Sequence, residues 1–157
     1  MIQRIQSVFL LLLALAMLAV LALPLWHKTD GLTHQQLTLT AFAYVAQGVA
    51  PPAPAVPVGV VGLLAAAAAG LALFELFQFR NRGKQLLLGS ANLLLITATL
   101  GAEFYFSNLG EQALNLKLEG QFLMGFYLPT LALLLNLLAS RFIRRDEQLV
   151  RSADRLR

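Results

Sequence analysis

Two glutamates and two asparagines interrupt the long apolar stretches of this chain, and their chemistry most needs an explanation. They are Glu75, Asn92, Glu103 and Asn136. Carboxyl and carboxamide groups in an apolar environment can relay protons or bind a ligand, because they supply hydrogen-bonding atoms where water is scarce. The same groups can also hold helices together without any chemistry. The sequence favours this structural role, since a transport path needs a more continuous series of polar residues.

Other kinds of active or metal site find little support in the sequence. The chain has no cysteine, which excludes disulfides, thiolate catalysis and thiolate metal sites. His27, Asp30 and His34 could share a metal only with further ligands, and their spacing matches no specific motif. We find no nucleophile–base pair, glycine-rich phosphate loop or paired carboxylates. We therefore expect no enzyme, no catalytic residue, no cofactor and no metal.

Four apolar segments must position these polar residues. Hydrophobic residues make up 58% and charged residues 13% of the 157 residues, whereas a soluble domain usually carries about 25% charged residues. About 20 apolar residues in a helix cross a bilayer core, and a helix leaves no main-chain group unpaired in lipid. The sequence predicts a single transmembrane domain whose four helices cover residues 5–25, 58–79, 86–106 and 122–140.

The first apolar segment has one alternative interpretation, a secretory signal peptide in which Arg4 supplies the positive region and residues 14–23 supply the apolar stretch. Its apolar run from Val8 to Leu23 is long for a signal and leads into Pro24 rather than into a small-residue cleavage site. We therefore expect an uncleaved membrane anchor.

The polar residues fall on small-residue faces of three predicted helices, and such faces mark helix–helix contacts in membranes. Glu75, Asn92 and Asn136 have similar predicted depths, so we expect them to form one polar layer. Glu75 could also extend toward Arg80 or Arg82, and Glu103 could be solvated or paired with Lys117. The shared faces contain residues 65, 68, 72 and 75, then 85, 89, 92, 96, 99 and 103, and finally 125, 129, 132, 136 and 140.

The positive charges are distributed unevenly along the chain. Ten of the twelve lysines and arginines flank one side of the predicted helices, and only Lys28 and Lys117 flank the other. Positive residues stay in the cytoplasm, so we predict that both termini and the turn at residues 80–85 are cytoplasmic. Loops 26–57 and 107–121 would then face outward.

Both predicted outer loops contain segments in which apolar and polar residues alternate, at residues 36–45 and 113–119. Such alternation is typical of β-strands. Two strands on one side of a membrane can pair with each other through main-chain hydrogen bonds. The sequence therefore predicts an all-α membrane protein. Its four-transmembrane-helix bundle would carry a small extracytoplasmic β-sheet formed by the two outer loops.

The tail at residues 141–157 contains no helix breaker, so we expect the fourth helix to continue into the cytoplasm. An apolar seam that repeats every seven residues could seat a partner helix, while arginines could hold anionic lipid headgroups. Nucleic-acid binding is not expected, because acidic residues interrupt the charge and no aromatic platform is present. The candidate docking or lipid-contact residues are Phe142, Arg144, Arg145, Leu149, Arg151, Arg155 and Leu156.

Three motifs carry a family resemblance: MIQRIQS at residues 1–7, GFYLP at 125–129 and DEQLVRSADRLR at 146–157. Through them the chain resembles a family of four-helix membrane proteins typical of Bacteroidetes, which is classed as a domain of unknown function. The resemblance implies a bacterial inner-membrane location. It supplies no activity, cofactor or catalytic residue.

We expect a non-catalytic accessory or scaffold subunit of an inner-membrane complex, which docks through its basic cytoplasmic tail. The expected partners are other subunits of that complex and anionic lipids. The alternative is a small transporter or proton-conducting protein that uses Glu75, Asn92, Glu103 and Asn136.

Overall fold

Four helices make up most of the chain in a computed structural model that describes residues 2–31, 34–78, 81–114 and 118–154. They are α1 (Ile2–Ala22), α2 (Val60–Phe77), α3 (Arg82–Ala113) and α4 (Met124–Asp154). Each is long and apolar enough to cross a membrane. The prediction of four apolar helices is therefore confirmed, and such helices suggest a membrane protein. The boundaries of the bilayer along them remain a prediction.

The helices close into a bundle, because α1 packs against α2 and α4, and α3 packs against the same two helices. Alanines allow α2 to approach its neighbours closely, with Ala65, Ala68 and Ala72 all fully buried. The outer surface is also apolar: Leu87 and Leu94 of α3 are 73% and 72% exposed. An apolar surface on a bundle this narrow suits lipid as its surroundings.

The two ends of the bundle differ in character. At one end α1 begins, α2 ends and α3 begins, and the extension of α4 starts with the exposed residues Arg141, Arg144 and Arg145. We call this the basic end. Contacts that join α4 to the start of α1, and α3 to the end of α2, hold it together. The opposite end carries a β-sheet, and we call it the sheet end.

The sheet has four antiparallel strands in the order β3-β2-β1-β4. The first loop supplies β1 (Trp26–Asp30), β2 (Gln35–Leu39) and β3 (Tyr44–Gln47), and the second supplies β4 (Gln121–Phe122). Its buried face alternates along β1 and β2, as a half-buried sheet requires. The predicted small sheet from both loops is confirmed, while its extracytoplasmic location remains a prediction.

The strands differ in position from the prediction. The alternating segment 36–45 divides into β2 and β3, because Thr40 and Ala43 hydrogen-bond to each other across a tight turn. The predicted strand at residues 113–119 is wrong over its described part: α3 continues to Ala113, and β4 begins only at Gln121. Residues 115–117 lie outside the described part. The tail is helical as predicted as far as Asp154, and residues 155–157 are not described.

Candidate functional site

A buried polar cluster lies about one helical turn inside the basic end. Glu75 in the last turn of α2 is 0% exposed, and Asn136 of α4 is 1% exposed. A methyl group built on Gly89 of α3 would lie 3.2 Å from Glu75 Oε1, 3.2 Å from Ser140 Oγ and 3.7 Å from Asn136 Oδ1. Three helices thus bring carboxyl, hydroxyl and carboxamide oxygens around one glycine. We call Glu75, Gly89, Asn136 and Ser140 the Gly89 cluster.

Hydrogen bonds hold the amides of this region but leave its oxygen atoms without donors. Asn136 Nδ2 donates to the carbonyl of Gly89 at 2.9 Å, and Gln85 Nε2 lies 3.4 Å from the carbonyl of Glu75. Both carboxyl oxygens of Glu75, Asn136 Oδ1 and Gln85 Oε1 accept no hydrogen bond from the described residues. Asn92, about one turn beyond Gly89 along α3, neither donates from Nδ2 nor accepts at Oδ1 a hydrogen bond among the described residues. Native structures rarely bury so many such atoms together, so these atoms need an explanation.

The expected extension of Glu75 toward the turn between α2 and α3 involves residues that the structure does not describe. Arg80 and the side chain of Arg82 lie outside the described part. Glu75 itself is fully enclosed by the bundle. An ionised carboxylate in such a place needs a compensating cation or several donors, and the described side chains supply neither.

Glu103 is a second buried carboxyl, nearer the sheet end. Its side chain is 0% exposed, and both of its oxygens accept no hydrogen bond from the described residues. The prediction that Glu103 is solvated is therefore wrong, because α3 continues past it to Ala113. Its other expected partner, Lys117, lies outside the described part. Glu103 is about 16 Å along α3 from Asn92 at helical rise, so it does not belong to the polar layer.

Apolar packing separates the Gly89 cluster from Glu103. Ile96 of α3, Ala68 of α2 and Ala132 of α4 are all 0% exposed and belong to one core. Thr99 lies between them and Glu103, but its hydroxyl donates to the carbonyl of Leu95 on its own helix at 2.9 Å. The described residues therefore form no continuous polar path between the two carboxyls.

The sheet end is held by an ion pair that joins β1 to α3. Lys28 is 2% exposed, and its Nζ donates to Glu111 Oε1 at 2.8 Å and to the Glu111 carbonyl at 2.9 Å. The same carboxylate accepts the main-chain N–H of Gly120, just before β4. Glu111 thus ties three elements together and neutralises the buried ammonium group.

Aromatic residues surround this ion pair. A cavity of about 350 Å³ opens between Trp26, Phe104 and Phe122, with Glu111 on its wall. The carboxylate of Glu111 stabilises the fold at this cavity, because it already binds Lys28. A further contact joins β3 to α3, where the hydroxyl of Tyr44 donates to the carbonyl of Phe106. Burial raises the pKa of Tyr44 to about 12, and a smaller electrostatic effect of Tyr105 also raises this pKa.

The histidines do not form the conceivable metal site. His27 and Asp30 lie on β1, where the burial pattern places them on opposite faces of the strand. The ring of His27 hydrogen-bonds to the hydroxyl of Thr38 at 2.7 Å, and His34 lies in the turn before β2. The described residues contain no group of three potential metal-binding side chains of the His, Cys, Asp or Glu type.

The predicted docking residues at the tail divide into packed and exposed positions. Phe142 is partly buried and stacks on Phe9 of α1, with ring centroids 5.6 Å apart. Arg144, Arg145 and Leu149 are exposed. The backbone of α4 continues through position 151, but the side chain of Arg151 is not described, and Arg155 and Leu156 lie outside the described part.

The exposed arginines line a shallow groove along α4 of about 520 Å³. Its polar lining consists of Ser140, Arg141, Arg144, Arg145 and Gln148. Such a row of guanidinium groups can bind carboxylate or phosphate oxygens in pairs. The groove is therefore the described surface best suited to an anionic partner.

Sequence reasoning missed two buried groups. Gln6 of α1 is 2% exposed near the basic end, and its Oε1 accepts no hydrogen bond from the described residues. Gln6 lies in a polar N-terminal segment, and for this reason the sequence did not predict that it is buried. The pair of Lys28 and Glu111 spans 83 positions, and no sequence pattern relates two residues so far apart.

Comparison with known proteins gives one match. A family model described as "Domain of unknown function (DUF4293)" matches residues 2–156. No curated protein and no solved structure matches the chain.

Proposed function

The chain belongs to the DUF4293 family, whose function is unknown, and from its own structure we propose that it is a non-catalytic accessory or scaffold subunit of a bacterial inner-membrane complex. It docks through the extension of α4 beyond Ser140. The motifs at residues 1–7, 125–129 and 146–157 further suggest that the family is typical of Bacteroidetes. The observation that carries the proposal is the unbroken course of α4 from Met124 to Asp154.

The extension is anchored at its base, which supports a docking role. Ile143 is fully buried, and Phe142 stacks on Phe9. The direction in which the helix leaves the bundle is therefore held by contacts with α1. A preordered helix loses less conformational entropy when it binds than a flexible tail does, so its anchoring favours specific recognition.

The exposed surface of the extension selects the chemistry of the partner. Arg141, Arg144 and Arg145 line one groove with Gln148, and Leu149 is 51% exposed. A basic groove beside an apolar residue suits an acidic amphipathic helix of another subunit. It also suits anionic headgroups, at about 1 kcal/mol per arginine. We propose both as partners and expect no nucleic acid.

The orientation that we propose follows from the charges. Ten of the twelve lysines and arginines flank the basic end in sequence, and positive flanks stay in the cytoplasm. Both termini are then cytoplasmic, and the sheet faces outward. Because the chain has no cysteine, single-cysteine variants report accessibility cleanly. Gln148→Cys should react with an impermeant maleimide only after the cells are opened, and Gln47→Cys should react in intact spheroplasts. The opposite pattern refutes the orientation.

Shuffling residues 146–157 at constant composition tests docking. The shuffled protein keeps the anchor at Phe142 and the total charge but loses the order of its exposed side chains. We expect partner subunits to co-purify with the native chain in mild detergent and to be lost from the shuffled chain. Co-purification of the same partners with both chains would refute docking.

Native mass spectrometry of the same samples separates lipid binding from docking. Retained anionic lipid should be equal in the native and shuffled chains, because lipid binding depends on charge rather than on order. Replacing Arg144 and Arg145 with glutamine should reduce retained lipid in either chain. Replacing Gln78 with alanine at the same end provides a control without a change of charge.

A small transporter or proton-conducting protein is the second candidate function. The convergence of Glu75 and Asn136 on Gly89 supports it. The apolar layer at Ile96 argues against a path to Glu103. The candidate requires that Glu75→Gln abolish a proton-linked flux in liposomes while the protein remains folded. An unchanged flux in that variant would eliminate it.

A further inference from the structure

The Gly89 cluster combines oxygen atoms from two helices around the backbone of a third. Glu75 Oε1 comes from α2, and Ser140 Oγ and Asn136 Oδ1 come from α4. All three lie within 3.7 Å of the position that a methyl group on Gly89 would take. Glycine is therefore the residue that leaves space between these oxygens, because any side chain would fill it.

Oxygen atoms predominate among the polar side-chain atoms of the cluster, although the hydroxyl of Ser140 can also donate a hydrogen bond. The amide nitrogen of Asn136 is engaged by the carbonyl of Gly89, and that of Gln85 approaches the carbonyl of Glu75. The atoms without a hydrogen-bond partner among the described residues are the two oxygens of Glu75, the side-chain oxygens of Asn136 and Gln85, and both amide atoms of Asn92. Of these atoms, Asn92 Nδ2 is a donor and the other five are oxygens. Acceptors crowded in this way repel one another unless a positive group or donor lies between them.

The chemical type of the oxygen atoms in the cluster indicates which kind of cation could bind between them. Carboxylate, carboxamide and hydroxyl oxygens are hard ligands, which suit alkali and alkaline-earth ions rather than soft metals. The cluster contains a single carboxylate, Glu75, and the described ion pairs do not include it. One monovalent cation would neutralise that carboxylate. A divalent cation would leave a net positive charge buried, which is costly in a low-dielectric interior.

From this geometry we propose that the Gly89 cluster binds one monovalent inorganic cation of the size of Na⁺, with Glu75, Asn136 and Ser140 as ligands. Gln85 and Asn92 lie within about one turn along α3 and complete its surroundings. The site borders the groove on α4, because Ser140 also lines that groove, and it requires no path across the bundle. Its role is to join α2, α3 and α4 at the basic end.

Entry to the site requires little movement. Glu75 lies two residues before the end of α2 at Phe77, and Gln85 follows the exposed residue Lys84. Fraying of one terminal turn would open the cluster to water at the basic end. Ions on that side of the membrane therefore determine its occupancy.

Thermal unfolding of the full chain in detergent tests the site. Trp26 is the only tryptophan and is 1% exposed, so its fluorescence reports unfolding. At constant pH and ionic strength, choline chloride is replaced stepwise by NaCl. A ligand that binds only the folded state should raise Tm by roughly 3 °C for each tenfold increase of Na⁺ above its Kd. Equal Tm values in Na⁺, K⁺ and choline would overturn the proposal.

Variants locate the effect. Glu75→Gln should abolish the Na⁺-dependent rise in Tm, and Gly89→Ala should abolish it by filling the space. The matched control is Glu103→Gln, which removes the other buried carboxyl and should leave the rise unchanged. A rise that persists in Glu75→Gln, or is lost only in Glu103→Gln, would also overturn the proposal.

A direct measurement of Na⁺ binding to the wild-type chain tests the proposal even if the Glu75→Gln variant does not fold. Equilibrium binding of radioactive Na⁺ to the wild-type chain should saturate at one ion per chain, with excess choline giving no competition. No saturable binding would show that ordered water, a proton or an arginine compensates Glu75, and the proposal would fail.

Discussion

Phe142 stacks on Phe9, with ring centroids 5.6 Å apart and an angle of 19° between the ring planes. This contact joins the first turn beyond Ser140 to a point on α1 about two turns after its first residue, Ile2. The extension of α4 is therefore part of the bundle at its base and exposed beyond it. Its orientation depends on aromatic packing rather than on α4 alone.

Removing this stack should loosen the extension. We expect Phe142→Ala to lower the free energy of unfolding by about 1–3 kcal/mol, because a half-buried aromatic contact is lost. Hydrogen exchange at residues 144–148 should become faster in the same variant. Phe77→Ala is the matched control, since Phe77 is 71% exposed and its loss should change stability by about 0.5 kcal/mol at most. Unchanged exchange in Phe142→Ala would contradict the anchoring role.

Gly110 allows α3 to approach the ring of Trp26 closely. A methyl group on Gly110 would lie 2.7 Å from Trp26 Cζ3, whereas a methyl group on Gly101 of the same helix meets nothing within 4 Å. Gly110→Ala should therefore destabilise by about 1–3 kcal/mol through overpacking. Gly101→Ala should be neutral or stabilise by up to about 1 kcal/mol, because alanine favours the helix. Denaturant unfolding of both variants measures the difference, and equal stabilities would refute the packing argument.

The Lys28–Glu111 pair should show strong coupling. Glu111→Gln leaves a buried ammonium group without its counter-charge and should cost about 3 kcal/mol, somewhat reduced because the Glu111 side chain is 32% exposed. Lys28→Met removes the charge that needs compensation, so the double variant should be more stable than the sum of the single effects predicts. A double-mutant cycle measures this coupling energy. A coupling below about 0.5 kcal/mol would mean that solvent already screens the pair.

Tyr44 should make stability depend on alkaline pH. Burial raises its pKa to about 12 from the ordinary tyrosine value of 10.0, so the folded state retains a proton that the unfolded state releases. Its contribution is fully present below pH 10 and is lost as pH rises toward 12. The free energy of unfolding of the wild type should therefore decrease as the pH is raised from 10 to 12. Tyr44→Phe lacks the titrating group, so its free energy of unfolding should fall less steeply with pH in this range. Identical pH dependence in the two proteins would contradict this assignment.

The buried helix faces could be read from the sequence because helical periodicity relates their residues locally. Ala65, Ala68, Ala72 and Glu75 recur at steps of three and four, and the structure buries all of them. The corresponding faces of α3 and α4 are buried in the same way, apart from the half-buried residue Ser140. Small and polar residues on one face have no advantage toward lipid, so the pattern itself indicated where the helices meet.

Strand positions could be read less well, because alternation over a few residues does not determine where a strand pairs. β1 contains the charged residues Lys28 and Asp30 on its buried face, which conceals its pattern. Lys28 is tolerated there only because Glu111 of α3 neutralises it. The helical end of α3 likewise occupies the start of a segment whose alternation favoured a strand.

The sequence by itself determined four apolar helices, their contact faces, the uneven distribution of charge and the helical continuation of α4. These features depend on local periodicity and composition, which act over one or two turns. Only the tertiary structure decided that Glu75 and Asn136 meet at Gly89 while Glu103 stands apart, and that Phe142 packs on Phe9. Such pairings depend on how far each helix extends and how closely its neighbours approach. Both are set by side-chain packing between segments that are distant in the chain.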